Sequence, residues 1–357
     1  MIQEKNIVVI PGDGIGPEVT SAALTILHAA AERTGMKCNC ETHLAGGAAI
    51  DAHGIPLPAE TVAAARAADA VLLGAVGGPK WDSVSPEIRP EKAILGLRKE
   101  LGLFANLRPV KVTAAMSDYS PLKPERVSGV DILILRELTG GIYFGKRCES
   151  ELIDGVEHAW DTEQYSIPEV ERIVRMAFQA AAGRRGKVTS VDKANVLASS
   201  RLWRRTAGKI ATEFPAIQLE NMYVDNCAMQ LVMAPKALDV VVTGNLFGDI
   251  LTDEAAVITG SIGMLPSASL GSGTGLYEPI HGSAPDIAGK QLANPLGTIL
   301  SVAMMFRHSL ANEAAAVLIE KSVEKVLAAG YRTGDMMQEG LTRCSTNEMA
   351  EKVLAAL

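Results

Sequence analysis

The chain has 357 residues, more than one ordinary folded core requires, so two domains are expected. Its content of 48% hydrophobic and 21% charged residues is typical of an ordered globular protein. A net charge of -7 gives no electrostatic reason to bind nucleic acid or an anionic membrane, so the expected partner is a small molecule.

At the N-terminus, MIQEKNIVVIPGDG contains an apolar run that ends at Pro11. This run is too short for a signal sequence or a membrane span, so we expect the protein to stay in the cytoplasm. The cysteines form no CxxC or Cys/His cluster typical of a zinc site. All are expected to be free thiols in a reducing compartment, with the first two on one face of a strand. They are Cys38, Cys40, Cys148, Cys227 and Cys344.

Short apolar runs then alternate with amphipathic segments, which predicts an α/β fold. Strands are predicted at 6–10, 38–44, 70–73, 104–112, 131–136, 187–192 and 239–243. Helices are predicted at 17–33, 59–68, 91–101, 168–184 and 198–214, and again towards the C-terminus. Residues 74–89 and 261–290 are predicted as loops, and the first is long enough to suggest a functional role. Residues 142–167 look irregular or hairpin-like and are predicted to form a projecting arm.

Two glycine-rich segments are candidates for cofactor binding. GDGIG at 12–16 lies between a strand and a helix, but the third glycine of a dinucleotide-binding fingerprint would fall on Pro17, so a plain tight turn explains it equally well. The segment 271–289 is the better candidate, because it offers backbone N–H donors beside Glu278, His281 and Asp286. Its alternative interpretation is a flexible surface loop.

Several basic residues lie among apolar residues or at the end of an apolar strand. Arg98, Arg108 and Arg136 each need an anionic partner, because desolvating a guanidinium is costly. One such arginine can serve an internal ion pair, whereas three suggest a polycarboxylate substrate. Lys193 in TSVDKANVL follows a predicted strand and is a candidate base; alternatively it pairs with Asp192 or is simply exposed.

The segment NLFGDILTDEAA, residues 245–256, places Asp249 and Asp253 four positions apart on one face of a predicted helix. Two like charges in this arrangement repel unless a cation lies between them. The pair therefore indicates either a divalent metal site or a solvated acidic start of the helix that favours its dipole.

Together these stretches resemble the isocitrate/isopropylmalate β-decarboxylating dehydrogenase family nearly from end to end. The matching segments are PGDGIGPEV, LGAVGGPKWD, RPEKAILGLRKELGLFANLRPVK, LRELTGGIYFG, VDKANVL, YVDNCAMQL, NLFGDILTDEAA and EPIHGSAPDIAGK. The resemblance implies an α/β, two-domain fold of that family, not a Rossmann fold, with an active-site cleft between the domains. Residues 1–103 with 261–357 would form the cofactor-side domain, and 104–260 the second domain, which carries the dimer interface and an arm at about 142–167.

The resemblance also implies roles for individual residues. Mg2+ or Mn2+ would be bound by three aspartates, Asp225, Asp249 and Asp253. Arg98, Arg108 and Arg136 would grip the two carboxylates of the malate portion, while Tyr143 and Lys193 would transfer protons. Asp225, which would also contact substrate, and Lys193 would enter from the other subunit of a homodimer with shared active sites.

Substrate and cofactor follow from two further segments. In RPEKAILGLRK, the substrate-facing positions Glu91, Ile94 and Leu95 would repel a third carboxylate and bury an isopropyl group, which favours 3-isopropylmalate; alternatively, both apolar residues only pack inside the protein. Asp286 would accept hydrogen bonds from the ribose of NAD and repel the 2'-phosphate of NADP. The remaining cofactor contacts implied by the resemblance are Ile15, Gly78, Glu91, Asn195, Glu278, His281, Gly282, Ser283, Ala284 and Asn294.

The expected reaction is NAD-dependent oxidation and decarboxylation of 3-isopropylmalate to 4-methyl-2-oxopentanoate and CO2, in leucine biosynthesis. A noncatalytic regulatory subunit is a rival interpretation, but it predicts loss of a metal or proton-transfer residue, and all five are present. A second rival is an enzyme for homoisocitrate, tartrate or a methylmalate, and only the segment RPEKAILGLRK opposes it.

Overall fold

Strands and helices alternate along most of residues 3–357, which are the residues that the computed structural model describes. The first segment contains β1 (Gln3–Gly12), α1 (Gly16–Arg33), β2 (Met36–Thr42), α2 (Gly47–His53), α3 (Ala59–Ala67), β3 (Ala70–Ala75) and α4 (Glu91–Glu100). The middle segment contains β4 (Leu103–Val112), α5 (Pro124–Val127), β5 (Val130–Glu137), β6 (Arg147–Ile153), β7 (Val156–Asp161), α6 (Ile167–Ala182), β8 (Lys187–Asp192), α7 (Ala198–Ala211), β9 (Gln218–Tyr223), α8 (Val224–Met233), β10 (Val240–Thr243) and α9 (Asn245–Ile258). The last segment contains β11 (Pro266–Gly271), β12 (Gly275–Pro279), α10 (Leu296–His308), α11 (Glu313–Ala328), β13 (Tyr331–Arg332), β14 (Thr342–Arg343) and α12 (Thr346–Ala356).

These elements fall into two units. The first comprises the residues up to Leu103, Thr113–Pro121 and Thr259–Leu357, and the second comprises Phe104–Val112 and Leu122–Ile258. The sequence-based division has boundaries near 103 and 260 and does not separate residues 113–121. As a statement about domains, a cleft and a dimer interface, it stays a prediction.

Local sequence signals account for where several helices begin and end. Pro17 lies in the first turn of α1, where its fixed φ suits a helix and its missing N–H is not needed. At the start of α6, the Glu169 carboxylate accepts hydrogen bonds from the Ser166 N–H and hydroxyl, over 2.7 and 2.6 Å, and so satisfies a backbone donor at the helix start.

In the first unit, five strands lie in the order β2-β1-β3-β12-β11. The first four are parallel to one another, and β11 is antiparallel to β12. Every residue of β3 is buried, and a core that includes Val71, Leu73, Leu97 and Leu276 packs against this sheet. The strand order is not that of a Rossmann fold, which agrees with the failed glycine fingerprint.

In the second unit, the order is β4-β5-β10-β8-β9, with β4 antiparallel to β5 and the other neighbours parallel. The register pairs Thr243 with both Arg136 and Val191, and pairs Asp192 with Tyr223. The four parallel strands therefore end at the same edge of the sheet. This edge is where side chains that follow the strands gather in α/β proteins, and here it collects the predicted catalytic residues.

The structure corrects the prediction of a loop at 261–290. Residues 266–279 form the antiparallel pair β11 and β12, and β12 also pairs with β3. The elements β9 and α8 had no counterpart in the sequence prediction. Residues 147–161 form the hairpin β6–β7, in which every residue but Cys148 is exposed.

Two other sequence-based expectations concern thiols and membranes. The prediction of free cysteines is confirmed, and Cys38 and Cys40 lie two positions apart on β2. Among the helices of residues 3–357, none combines the length and the apolar composition needed to traverse a bilayer.

Candidate active site

Asp249 and Asp253 occupy successive turns of α9, and each carboxylate accepts a hydrogen bond from a predicted substrate-binding arginine. Arg136 donates through Nη1 to Asp249, and Arg108 donates through Nη1 to Asp253 over 3.1 Å. The side chains of Asp249 and Asp253 are 38% and 73% exposed, so both remain accessible to a ligand. Guanidinium groups therefore provide the positive charge that two acids on one helix face require.

Arg136 lies at the end of β5 with a side chain that is only 8% exposed. Its Nε and Nη2 atoms donate to Oδ1 of Asn245, over 3.1 and 2.9 Å. Its aliphatic portion lies against Gly248, where an added Cβ would come within 2.6 Å of Arg136 Cγ. One face of α9 therefore surrounds the arginine with Asn245, Gly248 and Asp249, three residues spaced to share a helix face.

Tyr143 completes this group. It ends the short turn Gly141–Tyr143, and its hydroxyl donates to Oδ2 of Asp249 over 2.8 Å. The Arg136 guanidinium carbon lies 5.8 Å from the centre of the tyrosine ring. Desolvation and the neighbouring Asp249 carboxylate raise the pKa of Tyr143. The phenol is therefore kept protonated and has a proton to donate.

Lys193 follows β8 and forms an ion pair with Asp225, in the first turn of α8. This hydrogen bond lowers the pKa of the Asp225 carboxyl group. The alternative pairing of Lys193 with Asp192 is wrong, because Asp192 accepts two hydrogen bonds from Arg204, over 2.9 and 2.8 Å. Asn195, two residues after Lys193, is exposed.

The three predicted metal ligands are not assembled within one chain. In the part of the chain that the structure describes, no cluster of three or more His, Cys, Asp or Glu side chains is arranged to hold a metal. Asp249 and Asp253 share α9, whereas Asp225 pairs with Lys193. Carboxylate oxygens on successive helical turns are hard donors of the kind that Mg2+ and Mn2+ prefer, so the pair on α9 fits such an ion. Completion by Asp225 of the partner subunit stays a prediction.

In the first unit, Arg98 of α4 donates to Glu278 of β12 over 3.1 Å. The two side chains are 21% and 15% exposed, and Arg98 Nε is buried without a hydrogen-bond partner within residues 3–357. On the same helix, Leu95 is 48% exposed, whereas Ile94 is partly buried against the core. Glu91 is exposed at the start of α4, with its carboxylate beside Gly77.

Asp13 connects two segments that carry predicted cofactor contacts, the GDGIG turn and the loop before α4, with the start of α2. Its buried carboxylate accepts hydrogen bonds from the N–H groups of Gly47, Ala48 and Gly77, over 2.7 to 2.8 Å. Desolvation raises the pKa of Asp13, although the three N–H donors act to lower it. The carboxylate joins the GDGIG turn to the start of α2 and to the loop that precedes α4.

The GDGIG turn also contacts the second glycine-rich segment. Ile15 donates its N–H to the Ser283 carbonyl over 2.8 Å, and a Cβ on Gly14 would lie 2.0 Å from that oxygen, so only glycine fits. Gly78 lies in the same region, since a Cβ there would be 3.9 Å from Ser283 Oγ. Four predicted cofactor contacts, Ile15, Gly78, Ser283 and Ala284, therefore lie close together.

The rest of that segment offers further ligand-binding groups. Burial lowers the pKa of His281, whose Nε2 has no hydrogen-bond partner within residues 3–357. Such an unpaired buried atom fits a site that a bound cofactor completes. Gly282 and Asp286 are exposed, whereas the Asn294 amide is already bonded to Asp335 and to the N–H of Leu296.

Two residues that organise the site, Asn245 and Asp13, carry no role in the sequence-based assignment. The signal for Asn245 is its position directly after Gly244, where an apolar strand gives way to a helix. The signal for Asp13 is an acid between two glycines in a buried turn. Neither signal specifies the contacts that the structure shows.

Comparison with known proteins places this chain in a family. The family model described as isocitrate/isopropylmalate dehydrogenase matches residues 6–353. A 3-isopropylmalate dehydrogenase from Bacillus licheniformis is 58% identical over 99% of this chain and 96% of its own length. A 3-isopropylmalate dehydrogenase from Clostridium acetobutylicum is 56% identical, with both chains covered in full.

Solved structures show the same architecture. The isocitrate dehydrogenase from Methylococcus capsulatus superposes with a TM-score of 0.85 at 36% identity, covering 99% of each chain. The β-decarboxylating dehydrogenase from Thermococcus kodakarensis gives a TM-score of 0.82 at 36% identity, covering 99% of this chain and 96% of the other.

Proposed function

Since this chain belongs to the isocitrate/isopropylmalate dehydrogenase family, we propose that it oxidises and decarboxylates 3-isopropylmalate with NAD. The products would be 4-methyl-2-oxopentanoate and CO2, in leucine biosynthesis. The observation that carries the proposal is the group formed by Arg108, Arg136, Tyr143, Asp249 and Asp253. It combines carboxylate-binding cations, a protonated phenol and hard oxygen ligands in one place.

The residues have distinct tasks in this reaction. Arg108 and Arg136 would exchange their aspartate partners for the carboxylates of the substrate, because guanidinium groups bind such anions in a fixed geometry. Lys193 would accept the proton of the C2 hydroxyl, and Tyr143 would protonate carbon after CO2 is lost. When bound, NAD accepts a hydride, and Mg2+ or Mn2+ supplies a Lewis acid that stabilises negative charge on the substrate.

Substrate choice would depend on α4. Leu95 presents an exposed apolar side chain that an isopropyl group can cover, and such burial is worth about 0.8 kcal/mol for each methylene group. Glu91, exposed at the start of the helix, would repel a third carboxylate in the same place. Both features favour 3-isopropylmalate over isocitrate.

The preference for NAD would rest on Asp286, whose exposed carboxylate can accept hydrogen bonds from ribose hydroxyls. The same charge would repel the additional phosphate of NADP. The close group of Ile15, Gly78, Ser283 and Ala284 supplies backbone and apolar surface beside it. Reduced, free cysteines suit a cytoplasmic enzyme.

We further propose a homodimer that shares its active sites. Helices α8 and α9 expose an apolar set of side chains that a second copy would cover, namely Met229, Val232, Met233, Ile250 and Val257. The hairpin β6–β7 exposes another set, namely Leu152, Ile153, Val156 and Trp160. Asp225 lies on α8, one of the two helices that expose this apolar set. In a two-fold dimer formed through this surface, Asp225 of each subunit would contribute to the active site of the other.

The reaction is tested by NADH formation from NAD+ with Mn2+ and 3-isopropylmalate, compared with isocitrate, malate and tartrate. Substantial activity on 3-isopropylmalate alone supports the proposal. Equal rates on isocitrate would refute the role given to α4, and faster turnover with NADP+ would refute the role given to Asp286.

Sharing of the sites is tested with mixed dimers of Lys193→Met and Asp249→Asn subunits, each inactive by itself. After the two variants are unfolded and refolded together, half of the dimers contain one subunit of each kind. If Lys193 of the partner subunit completes the site, each mixed dimer has one intact site of its two, so about one quarter of wild-type activity returns. If both residues serve the same chain's site, no activity returns.

A further inference from the structure

Asn245, the first residue of α9, lies between two segments that carry proposed catalytic groups. It is 2% exposed. Its Oδ1 accepts from Nε and Nη2 of Arg136, and its Nδ2 donates to the Gly140 carbonyl over 3.1 Å. Gly140 directly precedes the turn that ends at Tyr143. A single amide therefore touches both the carboxylate-binding arginine and the segment of the proton donor.

The chemistry of this position requires a carboxamide. A guanidinium offers only donors and a carbonyl only an acceptor, so the group between them must accept on one side and donate on the other. An aspartate at 245 would place an oxygen against the Gly140 carbonyl, and an apolar residue would remove the contacts of Asn245 with that carbonyl and with Nε and Nη2 of Arg136. Because the two neighbours differ in kind, the amide of Asn245 has one favourable orientation.

The amide is also held firmly in position. The Asn245 N–H donates to the Tyr165 hydroxyl over 2.7 Å, and the Tyr165 ring packs edge-on against Trp203 at 5.3 Å. The same tyrosine lies against Gly140, where a Cβ would come within 2.7 Å of the ring. Tyr165 thus supports the two backbone segments that Asn245 connects.

Asp249 contacts Arg136 and Tyr143 as well, but its situation would change during catalysis. A carboxylate that binds a divalent cation has less capacity to accept hydrogen bonds from an arginine and a phenol. Asn245 is not a predicted metal ligand, so its contacts can persist with substrate bound.

We propose that Asn245 is a positioning residue that sets Arg136 and the Gly141–Tyr143 turn relative to each other. It thereby aligns the carboxylate grip with the donor that protonates carbon. The inference rests on the proposed function for the roles of Arg136 and Tyr143, and on the geometry above for the connection between them.

Two substitutions separate the two contacts. Asn245→Asp keeps an acceptor for Arg136 and loses the donor to Gly140, so kcat should fall at least about tenfold while KM for 3-isopropylmalate stays within about threefold. Asn245→Ala loses both contacts, so kcat should fall and KM should also rise at least about tenfold. In a Tyr143→Phe background, Asn245→Asp should lower kcat by less than about threefold, because it acts through that tyrosine.

Asp239→Asn serves as the control for general loss of stability. Asp239 is 1% exposed in the same unit and pairs with Arg184 over 2.9 Å, outside the proposed site. This variant should unfold at lower denaturant concentration with unchanged kcat and KM. The proposal is overturned if Asn245→Ala behaves like this control, or if the effects of Asn245→Asp and Tyr143→Phe on kcat simply multiply.

Crystal structures of the two Asn245 variants give a readout that needs no turnover. We expect the Gly141–Tyr143 turn to move in both variants, and Arg136 to move only in Asn245→Ala. Unmoved turns in both would overturn the proposal. Absence of wild-type activity on 3-isopropylmalate would instead refute the proposed function, and the crystal structures would then decide on Asn245 alone.

Discussion

Replacing Gly248 with alanine should show how tightly Arg136 is held against α9. A Cβ at this position would lie 2.6 Å from Arg136 Cγ, 2.8 Å from Cβ and 3.2 Å from Cδ. Carbon atoms in favourable contact lie about 3.5 to 4.0 Å apart. The clashing atoms belong to the base of a side chain that is 8% exposed, so relief requires the arginine or the helix backbone to move.

Two opposing effects determine the change in stability. Glycine to alanine within a helix gains up to about 1 kcal/mol from propensity, whereas overpacking a buried site costs about 1 to 3 kcal/mol. Gly208 on α7 isolates the first effect, since a Cβ there would meet nothing within 4 Å. Gly208→Ala should therefore raise the free energy of unfolding. The free energy of unfolding of Gly248→Ala should be about 1 to 3 kcal/mol lower than that of Gly208→Ala.

The assay compares urea unfolding midpoints of the two variants at one protein concentration, together with KM for 3-isopropylmalate. A displaced guanidinium loses charged hydrogen bonds worth about 1.5 to 3 kcal/mol, so KM for Gly248→Ala should rise about tenfold or more. KM for Gly208→Ala should equal the wild-type value. If Gly248→Ala matches Gly208→Ala in both stability and KM, the close approach of Arg136 to α9 affects neither folding nor substrate binding, and the reasoning is refuted.

Three other changes test separate parts of the molecule. Asp253→Asn removes a proposed carboxylate ligand, so Mn2+ affinity measured by calorimetry should fall more than about tenfold; unchanged affinity would place the metal elsewhere. Asp286→Ser removes the charge expected to repel a 2'-phosphate, so the ratio of kcat/KM for NADP+ to that for NAD+ should rise. Burial raises the pKa of Cys227 to about 12, so this thiol should resist alkylation at pH 8 in the native protein and react in urea, as mass spectrometry would show.

Elements with strong periodicity could be predicted from the sequence. The helix expected at 17–33 occupies Gly16–Arg33, because its apolar residues recur at helical spacing and Pro17 marks its start. The strand expected at 70–73 extends over Ala70–Ala75, an apolar run that is buried throughout. In both cases the segment's own composition agrees with its place in the fold.

Where composition and place disagree, the prediction failed. The sequence PSASLG of β11 is rich in small and polar residues, and its first four residues are nonetheless buried. It becomes a strand because it pairs with β12, which itself pairs with β3. Tertiary pairing overrides weak intrinsic preference in such a segment. The polar strand β9, QLENMY, escaped prediction for the same reason.

The candidate site shows the same limit at the level of single residues. The sequence identifies arginines and aspartates that need partners, but it does not indicate which of them meet. Arg98 and Glu278 are 180 positions apart and yet 3.1 Å from each other, and 106 positions separate Tyr143 from Asp249. Specific roles came from resemblance to a family. The contacts of Asn245 are with Arg136, the Gly140 carbonyl and the Tyr165 hydroxyl, and the last two carry no chemical pattern in the sequence.

The two apolar residues of α4 illustrate what structure adds to such a resemblance. From the sequence, Ile94 and Leu95 have the same two interpretations: both line the substrate pocket, or both pack in the core. The structure separates them, because Leu95 is 48% exposed and Ile94 is partly buried against the core around Leu97. We therefore predict different consequences for the two alanine substitutions.

Leu95→Ala should raise KM for 3-isopropylmalate about 5- to 30-fold, since it removes roughly 1 to 2 kcal/mol of apolar contact, while the free energy of unfolding stays within about 0.5 kcal/mol. Ile94→Ala should lower the free energy of unfolding by about 1 to 2 kcal/mol, less than for a fully buried isoleucine. Urea unfolding and steady-state kinetics measure both quantities on the same preparations. An unchanged KM for Leu95→Ala would mean that α4 is apolar for packing alone, and selection against a third carboxylate would then fall to the charge of Glu91.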